Sequence, residues 1–134
     1  MANQMTPVEV VRSYLAALNE HDPDAVCAWV SDDFHNEHTS ARGRSVAGKA
    51  AYRERLDGFF ATFVDLHYDV QHTVASGEDV VVAYRFSGRY TGQPFSIRGT
   101  FWFVVRGDRI VHRVDYYDGV TFEQQVGIYQ GSQR

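Results

Sequence analysis

The spacing of apolar residues changes from a helical period to a strand period near residue 66, and this change constrains the fold more than any other feature. Before it, apolar residues recur every three or four positions, and after it they alternate with polar ones. Four alternating segments are predicted as strands, over residues 66–74, 80–90, 95–105 and 110–117. Because the links between them are short, these strands should form an antiparallel meander.

The N-terminal half of the chain carries helix-start signals. Thr6, Pro7 and Glu9 match a capping box with proline at the first helical position, and Asp22-Pro23 repeats the order of cap and proline. We therefore predict helices over residues 7–19, 23–30 and 46–62, the last followed on its buried side by Phe63, with a break at 31–33 and a short strand over 34–38. Helices followed by strands indicate an α+β fold, with three N-terminal helices packed on a curved, mixed or antiparallel sheet.

Composition limits the classes of function. The chain has 134 residues with no linker and no repeat, so we expect one domain over residues 1–134. A net charge of −4, with basic and acidic residues interspersed, argues against a nucleic-acid partner. The one cysteine, Cys27, fits a reducing compartment, and the sequence shows neither a signal-peptide pattern nor an apolar run of membrane-spanning length. We expect a cytoplasmic protein without a membrane partner.

Aromatic residues make up 14% of the chain, which is enough to line a pocket for a small hydrophobic ligand as well as to fill a core. Their positions on the predicted elements give seven candidate wall residues: Trp29, Phe34, Phe59, Phe63, Tyr84, Phe101 and Tyr117. Ordinary core packing is the alternative for any single ring.

The segment Phe-Trp-Phe-Val-Val over residues 101–105 is apolar at every position, so both faces of that strand should be covered. Antiparallel sheets usually leave one face to water. We expect the helices to cover one face and a second copy of the chain to cover the other, giving a homodimer through the outer face of the sheet. Coverage by a tail or a loop is the alternative.

Several segments resemble the SnoaL-like proteins of the nuclear transport factor two-like superfamily. In the N-terminal half these are Val-Arg-Ser-Tyr-Leu-Ala-Ala-Leu-Asn over residues 11–19 with Asp22, and Asp32-Asp33-Phe34 with Gly43 and Ala47. In the C-terminal half they are Gly-Asp-Arg-Ile-Val over 107–111, Asp-Tyr-Tyr-Asp over 115–118 and Gln-Val-Gly over 125–127. The resemblance covers nearly the whole chain and implies a cone with an apolar pocket and a short helix after the last strand. Proteins of this fold include isomerases, cyclases, dehydratases, epoxide hydrolases and binding proteins.

The resemblance extends to bacterial ketosteroid isomerases, but two of their three catalytic groups are missing. Tyr14 falls at the position of their oxyanion-hole tyrosine, whereas His38 stands where they have a carboxylate base and Gly99 where they have a protonated aspartic acid. The ketosteroid isomerase mechanism is therefore not expected. SnoaL-like cyclases carry an acidic residue on the closing strands, and the matching position is Asp115.

Four residues are predicted to be catalytic. His38 can take or give a proton near neutral pH, and Asp115 could do so from an apolar cavity. Tyr14 would donate a hydrogen bond to a developing oxyanion, and Arg113 would orient or charge-balance Asp115. The structural alternatives are a rim histidine bonded to a carbonyl, an Arg113–Asp115 ion pair and a buried tyrosine bonded to another side chain. A one-residue slip of the last strand would turn Asp115 outward and bring His112 inward.

A metal or cofactor is not expected. His35 and Glu37 share one face of a strand, but His38 points the other way, and a catalytic zinc ion needs three convergent protein ligands. The glycine-rich turns lack the strand–loop–helix context of a phosphate cradle. We interpret His72 as a core histidine.

Together these features predict a cofactor-free acid/base enzyme acting on a hydrophobic, oxygenated small molecule. Cyclisation, isomerisation, dehydration and epoxide opening are the candidate reactions. A non-catalytic ligand-binding or dimeric scaffold protein of the same fold is the alternative, and a metal-dependent hydrolase is a third possibility.

Overall fold

The computed structural model describes residues 5–131, which form four helices and one six-stranded sheet. In chain order the elements are α1 (Pro7–Asn19), α2 (Pro23–Cys27), β1 (Val30–His38), β2 (Val46–Ala47), α3 (Lys49–Thr62), β3 (Phe63–Ser76), β4 (Asp79–Tyr90), β5 (Gln93–Arg106), β6 (Arg109–Tyr117) and α4 (Gly119–Val126). The strand order is β2-β1-β6-β5-β4-β3. Strands β3 to β6 form the predicted antiparallel meander, and β1 lies parallel to β6. The predicted α+β class with a mixed sheet is confirmed.

The helix starts lie where the sequence signals place them. The Glu9 amide donates to Thr6 Oγ1 (3.2 Å) and the Thr6 amide to Glu9 Oε1 (2.8 Å), which completes the capping box of α1. Asp22 caps α2 by accepting from the amides of residues 24 and 25. The buried face of α1 contains Val10, Val11, Tyr14, Leu15 and Leu18. In the described residues no helix is both long and apolar enough to cross a membrane.

The second helix is shorter than predicted, and the first strand is longer. Helix α2 ends at Cys27, and β1 begins at Val30 and includes residues 31–33, where a break was predicted. The reason is a long-range partner: Val30 pairs with Ile110 of β6, and the Ile110 amide donates to the Trp29 carbonyl oxygen (2.8 Å). Local sequence signals cannot show such a pairing.

The third helix also begins later than predicted. Val46 and Ala47 form β2 by pairing with Asn36 and His35 of β1, so α3 starts at Lys49. At the other end, Phe63 is the first residue of β3 rather than part of the helix face. Both differences arise because strand pairing takes residues that also satisfy the helical pattern.

Strand β3 departs from strict alternation in its second half. Leu66 and Tyr68 are buried, as the alternation predicts, but His72 and Val74 are exposed. The register shifts between Val70 and His72, and every residue over 69–76 is exposed in this half of the edge strand. The prediction that His72 is a core histidine is therefore wrong.

Gly99 of β5 leaves space for the Tyr84 side chain. Gly99 lies opposite Tyr84 of β4, and a Cβ atom added at Gly99 would overlap the Tyr84 hydroxyl. This hydroxyl donates to Asp115 Oδ1 on β6 (2.5 Å). The position at which ketosteroid isomerases have an aspartic acid thus gives room here for a tyrosine hydroxyl from the neighbouring strand.

We expect Gly99→Ala to destabilise the fold by about 1–3 kcal/mol, since a methyl group must displace a buried ring or the backbone. Gly58→Ala is the matched control, because Gly58 lies in α3 with open space around its Cα and alanine should stabilise the helix by about 0.5–1 kcal/mol. Urea unfolding of the two variants and the wild type measures both effects. Equal stability of Gly99→Ala and the wild type would contradict this account of Tyr84.

Candidate active site

A cavity of about 480 Å³ opens between α3, α4 and the inner face of the sheet, and its volume suits a small ligand. Its wall is mainly apolar and includes Leu56, Phe59, Phe63, Phe86, Tyr90, Ile97 and Phe122. Two glycines, Gly43 and Gly58, also line it. The other lining residues are polar or charged: Asn36, His38, Arg42, Arg44, Tyr52, Arg55, Thr62, Tyr68, Tyr84, Arg113, Asp115 and Tyr117.

The parallel pairing of β1 and β6 brings the polar groups of the cavity together. His38 of β1 lies opposite Asp115 of β6, and Asn36 lies opposite Arg113. All four side chains line the cavity because alternate residues of a strand share a face. In this register Asp115 is inward, and His112 lies on the outer face.

Arg113 is a buried cation held by neutral groups. Its side chain is 5% exposed, Nε donates to Asn36 Oδ1 (2.8 Å) and Nη1 donates to the Tyr14 hydroxyl (3.0 Å). The guanidinium carbon lies 4.7 Å from the centroid of the Phe101 ring, a cation–π contact. Within residues 5–131, no carboxylate lies at ion-pair distance from this guanidinium. The predicted direct pairing of Arg113 with Asp115 is therefore not formed.

The hydrogen bonds of Asn36 identify which nitrogen of His38 carries the proton. Arginine only donates, so the Asn36 atom facing Arg113 is Oδ1. The Asn36 amide nitrogen then faces His38 Nε2 at 3.4 Å and must donate to it. The proton of the neutral imidazole is therefore on Nδ1, which lies 3.7 Å from Asp115 Oδ2 and has no hydrogen-bond partner among the described residues.

Asp115 can change protonation state near neutral pH. Burial raises its pKa from the usual 3.8 to about 6, although Arg113 and the Tyr84 hydroxyl act in the opposite direction. Oδ1 accepts from Tyr84, and a proton on the carboxyl group would therefore reside on Oδ2. This is the property that a general acid or base requires.

His38 stays neutral in the same pH range, unlike the histidine predicted from the sequence. Burial, together with the positive charges of Arg113 and Arg55, lowers its pKa from the usual 6.5 to about 3. A negative Asp115 would favour a charged imidazole, but Asp115 is itself protonated below its pKa of about 6. The imidazole therefore acts as a neutral hydrogen-bonding group.

Tyr52, rather than Tyr14, presents its hydroxyl to the cavity. Tyr14 is fully buried behind Tyr52, and the two hydroxyl oxygens are 2.5 Å apart. Tyr14 accepts from Arg113, and either hydroxyl can be the donor in the bond between Tyr14 and Tyr52. When Tyr14 is the donor, the proton of Tyr52 is free for a ligand oxygen. Burial raises the pKa of Tyr52 well above 10, so Tyr52 remains a donor.

Seven of the eleven predicted site residues line the cavity: His38, Phe59, Phe63, Tyr84, Arg113, Asp115 and Tyr117. Trp29, Phe34, Phe101 and Tyr14 do not. Phe34 packs against Tyr52, with ring centroids 4.9 Å apart, and Phe101 lies beneath Arg113. Trp29 lies past the end of α2 and packs, half-buried, against the hydrophobic core.

The prediction missed several polar lining residues, and some of them had a signal. Asn36 is two residues before His38 and so lies on the same face of β1, and Tyr68 alternates with Leu66 on the buried face of β3. Tyr52 lies on the buried face of α3, but its link to Tyr14 joins residues 38 positions apart. No sequence signal indicated Arg55.

We expect the stability of Asp115→Asn relative to the wild type to rise as the pH increases from about 4 to 6. A carboxyl whose folded-state pKa is raised loses stabilisation with increasing pH, whereas asparagine does not titrate. The shift from 3.8 to about 6 corresponds to a change of about 3 kcal/mol. Urea unfolding at several pH values measures this difference.

Asp118→Asn is the matched control for this experiment. Asp118 caps α4, and hydrogen bonds from Thr121 lower the pKa of its carboxyl, so the stability of Asp118→Asn relative to the wild type should fall with increasing pH below about 4 and stay level between about 4 and 6. A flat or falling difference for Asp115→Asn would contradict the raised pKa of Asp115.

Comparisons with known proteins identify the family. The sequence profile of the SnoaL-like domain matches residues 11–113. No curated protein matches the chain. A hypothetical protein with a ketosteroid isomerase-like fold from Catenulispora acidiphila, solved in complex with trimethylamine, has a TM-score of 0.84 and 21% identity over 97% of this chain and 100% of its own.

Two further solved structures are similar. A proposed polyketide cyclase from Xanthomonas campestris has a TM-score of 0.81 and 23% identity over 90% of this chain and 96% of its own. TerC co-crystallised with polyporic acid has a TM-score of 0.81 and 16% identity over 91% of this chain and 98% of its own. At these identities the structures establish the fold, and the profile match covers most of the chain. The chain belongs to the SnoaL-like domain family, as the sequence resemblance predicted.

Proposed function

We propose that the protein is a cofactor-free acid/base enzyme that transfers protons on a hydrophobic, oxygenated small molecule. The observation that carries the proposal is the Asp115 carboxyl, which has a pKa of about 6 and lines a cavity with mainly apolar walls. Such a group is ionised at neutral pH but still basic enough to accept a proton efficiently. Burying a carboxylate costs free energy, and a hydrophobic core that serves packing alone gains nothing from it.

The proposed first step is removal of a proton from a carbon atom next to a carbonyl group. Asp115 Oδ2 takes the proton, the electron pair of the C–H bond forms the carbon–carbon double bond of an enolate, and the π electron pair of the carbonyl bond moves to its oxygen. The Tyr52 hydroxyl donates to that oxygen, and Arg113 supports it through Tyr14. Donors already in place in a site with little water stabilise such an oxyanion strongly.

The fate of the enolate determines the reaction. Return of the proton from Asp115 to another carbon would be an isomerisation, attack of the enolate carbon on a second carbonyl a cyclisation, and loss of a β-hydroxyl group as water a dehydration. In epoxide opening the protonated Asp115 would act first as an acid. The similarity to a proposed polyketide cyclase supports the cyclisation within this set.

The charges around the cavity favour a substrate with an acidic or strongly polarised oxygen. Four arginines line it, and Asp115 is its one acidic lining residue in the described part of the chain. Arg42 is paired with Glu123 (3.2 Å), which leaves Arg44, Arg55 and Arg113 without an ion pair within residues 5–131. An acid such as the polyporic acid with which TerC was co-crystallised fits this charge better than an amine does.

We also propose a cytoplasmic location, consistent with the single buried thiol of Cys27.

The proposal is tested with 2-tetralone, a bicyclic ketone with acidic α-hydrogens. We expect the protein to catalyse exchange of these hydrogens for deuterium in D₂O, followed by NMR, with a rate that rises with pH around a midpoint near 6. Asp115→Asn should reduce the rate by a factor of at least about 100, because general-base catalysis contributes that much.

Two further variants serve as a control and as a test of the oxyanion donor in the exchange experiment. Asp69→Asn, at an exposed carboxyl of β3, should leave the rate unchanged. Tyr52→Phe should lower the rate without shifting the pH midpoint, since it removes the oxyanion donor alone. Binding of 2-tetralone without exchange would overturn the enzymatic proposal in favour of a binding protein. Exchange that survives Asp115→Asn would overturn the assignment of Asp115 as the base.

We further propose that two copies of the chain associate through the outer face of the sheet. Val74, Val81, Trp102 and Val114 form a cross-strand row over β3, β4, β5 and β6 on this face. Val74 is 68% exposed and Trp102 is 44% exposed in the single chain. In a two-fold dimer such an apolar row would pack against the same row of the second copy.

We expect the wild type to sediment as a dimer of about 30 kDa, twice the 15.2 kDa chain. Trp102→Lys should give a folded monomer, because a charge in the centre of an apolar interface is costly. Val120→Lys, at an exposed apolar position of α4, is the control and should remain dimeric. A wild type that is monomeric at micromolar concentration would contradict the dimer.

A further inference from the structure

His35, Glu37 and His112 form a cluster on the outer face of the sheet, opposite the cavity. Each offers one possible ligand atom, and the three atoms lie within 4.8 Å of one another. His112 Nε2 is 3.0 Å from Glu37 Oε1, and the rings of His35 and His112 stack with centroids 4.9 Å apart and planes 5° apart. His35 and Glu37 lie on one face of β1, as the sequence predicts, and His112 comes from β6.

The strand register holds this cluster in place. His35 and Glu37 are two residues apart on β1 and therefore share a face, and His112 of β6 is the register partner of His35. The backbone hydrogen bonds of two paired strands thus position all three Cβ atoms. Sites built on strands are more precise than sites built on loops.

We propose that this cluster, the outer-face triad, binds a divalent transition metal ion such as Zn²⁺. Two imidazole nitrogens and one carboxylate oxygen are a ligand set that zinc uses in proteins with an open fourth position. With metal–ligand bonds of about 2.0–2.1 Å, tetrahedral ligand atoms lie roughly 3.3 Å apart. Because the two imidazole planes are parallel in the stack, one ring must turn before both nitrogen lone pairs point at one ion, and the exposed His35 side chain has the space to turn.

The bound ion would stabilise the pairing of β1 with β6. The triad takes two ligands from β1 and one from β6, so the ion cross-links the two strands. The same two strands carry His38 and Asp115 on the opposite face. The triad does not touch the cavity, and the proposal does not depend on the proposed catalytic function.

The test is titration of the chelator-treated protein with ZnCl₂, followed by calorimetry and by thermal unfolding. We expect one ion per chain and a rise in Tm of several degrees at saturating zinc, because a ligand that binds the folded state stabilises it. His112→Ala and Glu37→Gln should each weaken binding by at least about tenfold and abolish the rise in Tm.

His72→Ala is the matched control, since His72 is an exposed histidine of β3 outside the triad. It should bind zinc as the wild type does. The titration is repeated with Trp102→Lys, the variant expected to be monomeric. It should bind zinc as the wild type does, because all three ligands come from one chain. The proposal is overturned if the wild type binds no zinc, or if His72→Ala weakens binding as much as His112→Ala does. Because these readouts do not involve turnover, failure of the catalytic proposal would leave them unchanged.

Discussion

The buried guanidinium of Arg113 is the constraint on which the rest of the site depends. A cation in an apolar interior must be surrounded by acceptors, and here these are supplied by Asn36 of β1 and Tyr14 of α1, with the Phe101 ring of β5 beneath it. One side chain therefore links a helix and three strands. Its charge also lowers the pKa of His38, opposes the rise in the pKa of Asp115 and, through Tyr14, orients the Tyr52 hydroxyl.

Much of the fold could be predicted from the sequence because its signals are local. The capping box at Thr6, the proline at Pro23 and the period-two segments with short links define α1, α2 and the meander. What could not be predicted depends on partners distant in the chain. The parallel pairing of β1 with β6 extends β1 back to Val30, and β2 exists only because Val46 and Ala47 meet β1.

The same distinction applies to the two candidate sites. Strand parity was enough to place Arg113, Asp115 and Tyr117 on one face, and the structure has them there. Parity does not show that Arg113 binds neutral groups instead of Asp115, or that Tyr52 stands between Tyr14 and the cavity. Nor does it show that His112 completes a triad with two residues of β1, because that requires the register between strands about 75 residues apart in sequence.

The central claim is that Asp115 is a buried carboxyl that exchanges its proton near neutral pH. The most direct test is a ¹³C NMR titration of the Asp115 carboxyl carbon in the wild-type protein. The account predicts a midpoint near 6. A midpoint at or below the usual 3.8 would mean that Asp115 is held permanently ionised, and the proposed proton chemistry would then be wrong.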